Sequence, residues 1–246
     1  MAGHSKWNNI KRKKGKTDAQ RAKIFTKIGR EIQVAVREGG GDPSVNGKLR
    51  DLVAKAKANN VPNENIDRII KKAVGGDDKN DYIEMTYEGY GPNGIAIIAR
   101  ALTDNKNRTA GDVRHYFDKY GGNLGTTGCV SFMFSQMGNI IIDKDGIPED
   151  KIMEDAILAG ASDILSEGDV YEIHTPTSSL RETREALENC GYTFLSSEIE
   201  QIPSTYTAIT DDEAASKMLK LLELLEDNDD IQEVWHNWEN EAEYNL

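Results

Sequence analysis

Apolar residues in the first third of the chain recur at steps of three and four, whereas from about residue 82 they begin to alternate. Over 17–37, Phe25, Ile28, Ile32 and Val36 form one stripe and Arg21, Lys23, Lys27 and Arg30 point elsewhere, which predicts an amphipathic helix. The run Gly39-Gly40-Gly41-Asp42-Pro43 stops it. A second helix is predicted over 46–59, carried by Leu49, Leu52, Val53 and Ala56. A third has Pro62 in its first turn and Ile66, Ile69, Ile70 and Val74 as its stripe, and Gly75-Gly76 ends it. Three short helices with one apolar stripe each bury those stripes against one another, leaving a lysine-rich outer face.

The composition shifts at Gly75-Gly76-Asp77-Asp78, and strands are predicted over 82–90 and 94–103 around the turn Gly91-Pro92-Asn93. Thr109 and Asp112 read as a capping box opening a helix that buries Val113, Tyr116, Phe117 and Tyr120. The glycines of 121–125 end it, and 129–134 reads as a strand. Residues 138–202 then follow a βαββαβ order: strand 139–143, helix 148–159, strands 163–166 and 169–175, helix 179–189 with a Ser179/Glu182 capping box, and strand 192–201. That order is the ferredoxin-like arrangement. A strand over 205–210, a helix over 211–227 with Asp211, Asp212 and Glu213 at its positive dipole end, and a strand over 231–238 complete the sheet begun at 82. The expected fold is α+β in three domains. Residues 1–76 form a basic three-helix bundle, 77–134 plus 205–246 a discontinuous α/β domain, and 135–204 a ferredoxin-like α/β domain inserted into it.

Charge changes this picture most. The 246 residues carry 30 Lys+Arg and 42 Asp+Glu, a net −12, which argues against a general polyanion binder. Split by position, residues 1–75 hold 18 basic and 7 acidic side chains (+11), and the remainder 12 and 35 (−23). Such a bipolar molecule approaches a polyanion with its positive end first. Within the first sixteen residues Lys6, Lys11, Arg12, Lys13, Lys14 and Lys16 have no acidic neighbour, and Trp7 is their one aromatic companion. Desolvating so many ammonium groups in a core is prohibitive, so the segment either stays solvated or lies against something anionic. Basic residues with an aromatic able to stack on a base fit nucleic acid. The candidate contacts are His4, Lys6, Trp7, Lys11, Arg12, Lys13, Lys14, Lys16, Arg21, Lys23, Lys27 and Arg30.

Other chemistry is sparse. His4, His115, His174 and His236 lie in separate elements without metal-ligand spacing, so no metal or other cofactor is expected. Cys129 and Cys190 form no motif and read as small buried apolar residues of a reducing compartment. Gly41-x5-Gly47-Lys48-Leu49 is one residue too long for a phosphate loop, lacks Ser/Thr after the lysine and follows a helix rather than a strand. The glycines of 122–128 open a strand rather than a helix, so no dinucleotide fingerprint forms. A hydrolase centred on His115 with Asp104 and Asp112 lacks motif spacing, and no enzyme is expected. No apolar run approaches a membrane span, and the basic start is not followed by the apolar stretch of a signal peptide, so a cytoplasmic protein without membrane partners is expected.

The order of several motifs carries a resemblance. Met1-Ala-Gly-His-Ser-Lys-Trp-Asn-Asn-Ile-Lys11, Lys23-Ile-Phe-Thr-Lys27, Gly39-Gly-Gly-Asp-Pro43, Tyr87-Glu-Gly-Tyr-Gly-Pro-Asn-Gly94, Leu102-Thr-Asp-Asn-Lys-Asn-Arg-Thr109, Val113-Arg-His-Tyr-Phe117, Gly121-Gly-Asn-Leu-Gly125 and Leu225-Glu-Asp-Asn-Asp-Asp-Ile-Gln232 closely resemble the YebC/PmpR family over essentially the whole chain. The family includes the mitochondrial translational activator of a cytochrome oxidase subunit. The resemblance implies three domains with the third inserted in the second, and a regulatory rather than enzymatic role. Its common attribution is a transcriptional regulator that binds promoter DNA. The competing attribution is a factor that binds ribosomal RNA and eases translation through stretches such as consecutive prolines. Where many members follow Ser-Trp-Met-Phe with basic residues, this chain has Ser131-Phe132-Met133-Phe134-Ser135-Gln136-Met137-Gly138. A monomer is expected, with a protein partner possible for the acidic α/β domains.

Overall fold

The computed structural model describes residues 18–76 and 81–244. Three helices come first: α1 (Asp18–Gly39), α2 (Gly47–Ala58) and α3 (Asn63–Val74). They bury Ile28, Ile32, Val36, Leu49, Ala56 and Ile66 in one cluster, the stripes that the helical spacing marks. Gly40 takes φ +84°, the left-handed conformation that ends α1, and its N–H donates to the Val36 carbonyl at 2.8 Å. Asn46 caps α2 by accepting from the Leu49 N–H at 3.0 Å. Pro62 precedes α3 as its cap residue rather than lying in its first turn.

The α/β part contains two four-stranded antiparallel sheets. The first is built from β1 (Ile83–Tyr90), β2 (Ala96–Thr103), β3 (Asn123–Leu124) and β8 (Ile231–His236) in the order β3-β1-β2-β8, with α4 (Lys106–Lys119) and α7 (Asp212–Asp227) covering one face. The second is β5 (Asp163–Glu167), β6 (Val170–Thr175), β4 (Phe134–Asp143) and β7 (Ser196–Pro203), covered by α5 (Glu149–Leu158) and α6 (Leu180–Asn189). Its order β5-β6-β4-β7 is the ferredoxin-like order, and the unit lies between β3 and α7 in the chain, as the element pattern implies.

β2 shows what holds the pieces together. Ile97, Ala99 and Ala101 face α4 and α7, whereas Ala96 and Ile98 on the other side pack on Val130 and Phe134 at the entry to β4. With side chains alternating across the strand, a sheet covered on both faces loses the polar half of its pattern. The next residue on that second side, Arg100, reaches the helical bundle instead.

Several local expectations are corrected. α4 begins at Lys106, capped by Asn105, whose side chain accepts from the Arg108 N–H at 3.1 Å. Thr109 therefore lies one turn inside the helix, fully buried, and no capping box forms with Asp112. Ser179 precedes α6 but makes no side-chain cap hydrogen bond. The expected strand at 129–134 is a turn and a 3-10 segment (Ser131–Met133), and 205–210 contributes a single bridge, Thr207 with Trp238, not a strand. The fourth strand of the first sheet is instead β3, only two residues long. Cys129 is half-buried against the Ala96, Ile98, Val130 and Phe134 cluster and Cys190 is exposed, so neither is fully buried.

Two close approaches hold this sheet. A Cβ on Gly89 would stand 2.6 Å from the Asn123 carbonyl oxygen and 2.8 Å from a Phe117 ring carbon, so only glycine lets β3 and α4 close on β1. The buried Glu88 carboxylate accepts from the backbone N–H groups of Gly128, Val130 and Ser131 at 2.8, 3.0 and 2.9 Å, and so holds the turn that presents Phe132. Burial acts to raise the Glu88 pKa, but these donors outweigh it and the carboxyl lies below its ordinary value. Glu88→Ala should cost about 3 kcal/mol in a denaturant titration, since it strands three donors. A folded pKa below the unfolded one makes this contribution complete above the unfolded carboxyl value and lost as pH falls through the folded value. The wild-type and variant stabilities should therefore converge in acid; a constant gap across that range would show that the carboxylate is not the cause.

Candidate nucleic-acid interface and the three-domain junction

His4, Lys6, Trp7, Lys11, Arg12, Lys13, Lys14 and Lys16 lie outside the described residues. The four other candidates sit on α1, and three of them face inward to the α7–β8 turn. Lys23 pairs with Asp227 at 3.0 Å, Lys27 donates to the Glu226 carbonyl at 2.5 Å, and Arg30 pairs with Asp230 at 2.7 Å. The Arg30 guanidinium also lies over the Tyr82 ring, 5.4 Å from its centroid. The Arg30 side chain is only 17 % exposed and already engaged by a carboxylate. Arg21 is exposed at the start of the helix.

The charge asymmetry of the chain is therefore partly internal. Lys55 of α2 lies 3.5, 3.3 and 3.4 Å from Glu31, Glu198 and Glu233, one from each of the three structural units. Arg100 reaches Glu31 at 2.6 Å and Glu233 at 3.1 Å. Burial disfavours the Lys55 ammonium, yet the surrounding glutamates more than compensate and hold its pKa well above the ordinary lysine value. Lys55 and its three glutamates border a cleft of about 160 Å³ between the bundle, β8 and the helix-free face of the second sheet. The bundle still offers cations to an external anion on its outer helices. Lys57 on α2 and Arg68 and Lys71 on α3 are exposed and carry no ion pair with the described residues.

Asp230 ties the same junction together. It is 4 % exposed and receives Arg30 from α1 at 2.7 Å, Arg108 from α4 at 2.7 Å, and the hydroxyls of Thr109 and Thr103 at 2.7 and 3.1 Å. The segment 102–109 and the segment 225–232 thus meet around one carboxylate. Sequence reasoning missed Asp230 because a lone aspartate in an Asp-rich turn reads as solvated; the signal lay in the buried threonines of a strand end and helix interior. Elsewhere, His115 and Arg114 are exposed on α4, and Asp104 pairs with Arg108 at 2.8 Å. Phe132 is 75 % exposed on its Glu88-held turn. Among the described residues no group of three or more His, Cys, Asp or Glu is arranged to hold a metal, and no helix is long and apolar enough to cross a membrane.

A basic bundle clasped by ion pairs to two α/β units, one nested in the other, defines a class of three-domain α+β proteins. The chain belongs to the TACO1/YebC family. Residues 5–76 match its N-terminal domain and residues 82–238 its second and third domains. A "Probable transcriptional regulatory protein" of Ruminiclostridium cellulolyticum is 57% identical over 221 residues, covering 89% of each chain. One of Acetivibrio thermocellus is also 57% identical, over 89% of this chain and 91% of the relative. A crystal structure of a conserved hypothetical protein from Aquifex aeolicus superposes with a TM-score of 0.83 at 44% identity, covering 91% of this chain and 92% of that one. The family's role is regulatory, and its relatives are named as regulators rather than enzymes.

Proposed function

We propose that the protein is a nucleic-acid-binding regulator that grips phosphates with its basic 1–30 end and the outer face of its bundle. The favoured target is promoter DNA. The observation that carries the proposal is the split of charge along the chain, +11 over residues 1–75 against −23 beyond them, with Lys57, Arg68 and Lys71 exposed on α2 and α3 and without an ion pair to the described residues. The transcriptional names of the relatives support DNA as the target. Phosphate contacts position a protein but do not specify sequence, so base reading has to come from other side chains.

The second reading is a translation factor on ribosomal RNA, favoured by the engagement of Arg30, which takes that side chain away from an external groove, and by the pairing of basic residues with Trp7, suited to splayed bases. Side-by-side competition of duplex DNA, single-stranded RNA and intact ribosomes over several salt concentrations tests both. Selective binding to one duplex that survives physiological salt supports the transcriptional reading. Ribosome binding that excess duplex cannot displace replaces it with the translational one, and no binding to any of the three overturns both. Lys57→Glu with Lys71→Glu should weaken binding at least tenfold and flatten its salt dependence, with the thermal midpoint little changed.

A further inference from the structure

The cleft between the three units has a chemistry that nucleic-acid binding does not use. Six carboxylates, those of Glu31, Glu172, Glu198, Glu200, Glu226 and Glu233, line it against the two ammonium groups of Lys27 and Lys55. At its floor, on the helix-free face of the second sheet, Glu172 and Asn139 are each only 1% exposed. The Asn139 amide nitrogen donates to Glu172 Oε1 at 2.7 Å, and the His174 ring Nε2 lies 3.1 Å from the same oxygen. That donation fixes the Asn139 amide orientation and leaves Oδ1 as its acceptor. Both Asn139 Oδ1 and Glu172 Oε2 are buried and accept no hydrogen bond from the described residues. Leaving a buried carboxylate oxygen without a donor is expensive, and two such acceptors on one cleft floor call for a ligand that only donates.

An alkylammonium group has three donors and no acceptor, and the cleft's surplus negative charge favours it. The apolar walls decide between an organic cation and a hydrated metal ion. Ile24, Ile28, Ile231 and Val234 line the same space, which suits a short hydrocarbon chain rather than a water shell. A dry cavity of about 150 Å³ holds a molecule of roughly six heavy atoms such as benzene. The 160 Å³ here matches a short diamine.

We propose that this cleft is a binding site for a short alkyl diamine, with one ammonium on Glu172 Oε2 and Asn139 Oδ1 and the chain along Ile28 and Ile231. The site bridges all three units, so an occupant strengthens the clasp that Lys55 and Arg100 already make. The proposal is independent of which nucleic acid the basic end binds.

Isothermal titration of the full chain with 1,4-diaminobutane at 150 mM salt tests it, with 1,4-butanediol and magnesium chloride as controls. The expected result is saturable one-to-one binding of the diamine, none of the diol, and no displacement by an equal concentration of magnesium. Glu172→Gln should weaken it at least tenfold and Asp229→Asn, in the acidic turn but not lining the cleft, should leave it unchanged. If Glu172→Gln does not fold, Glu198→Gln at the cleft mouth should still weaken binding severalfold. Absence of saturable binding to the wild-type chain overturns the site. So does equal binding of diol and diamine, displacement by magnesium, or an affinity that both Glu172→Gln and Glu198→Gln leave intact.

Discussion

Asp230→Ala is expected to lower the thermal midpoint of the full chain by roughly 10 °C. Removing one partner from a buried ionic cluster typically costs about 3–5 kcal/mol, and for a chain of this size each kcal/mol moves the midpoint by about 2–4 °C. The cost arises from what is left behind. Arg30 loses its carboxylate at a site where it is 17 % exposed, and the fully buried Thr103 and Thr109 hydroxyls lose an acceptor. Burial acts to raise the Asp230 pKa, but Arg108, Thr109 and Arg30 outweigh it and hold the carboxyl below its ordinary value. With the folded value below the unfolded one, the contribution is complete above the unfolded carboxyl pKa of about 3.9 and lost as pH falls through the folded value. The wild-type and Asp230→Ala midpoints should therefore draw together in acid. Because Arg30 and Asp230 touch, the double variant Arg30→Ala/Asp230→Ala should cost clearly less than the two single changes together. A midpoint shift under about 2 °C for Asp230→Ala, or strict additivity, would show that the α7–β8 turn does not clasp the bundle.

Deletion of residues 2–16 is expected to abolish nucleic-acid binding while leaving the folded body intact. The structure sharpens this expectation: Lys23, Lys27 and Arg30 are engaged by residues 226–230, so most of the available positive charge of the basic end precedes α1. Six cations each meeting a phosphate contribute about −5 to the slope of log affinity against log salt on duplex DNA. The truncated chain should lose most of that slope along with its affinity, measured by fluorescence anisotropy at four salt concentrations. Trp7→Ala in the full chain should cost on the order of 1–3 kcal/mol of binding if the ring stacks on a base. A Trp7 that only packs against the protein would instead lower the thermal midpoint with binding of the folded fraction intact. Unchanged affinity of the truncated chain would refute the basic end as the binding element.

The bundle, the second sheet and three strands of the first sheet were readable from spacing because their signals are local. Ile28, Ile32 and Val36 fall on one side of any helix that contains them, and Tyr171 and Ile173 on one side of any strand. Errors came where a short-range cue had a long-range competitor. Thr109 carries the residue type of a helix cap, but Asn105 is better placed by four residues, and the Thr109 hydroxyl is drawn to Asp230, 121 positions away. The two-residue β3 was hidden in a glycine run because pairing with Gly89 and Tyr90, not strand propensity, makes it a strand.

Periodicity, turn chemistry and charge counting were thus sufficient for the α+β class, the ferredoxin-like order of the inserted unit and a polarised molecule. The destination of each charge was not readable. Lys55 and Lys57 are two positions apart in the same helix, yet one is held by glutamates from three units and the other faces solvent. Glu172 and His174 alternate with Tyr171 and Ile173 as the polar face of a half-exposed strand would, but both are buried, Glu172 in the cleft between the bundle, β8 and the second sheet. A side chain's direction follows from its own element, whereas the dielectric and the partners it meets there follow from how separate elements dock. That docking brings residues 31, 100, 172, 198 and 233 into one place.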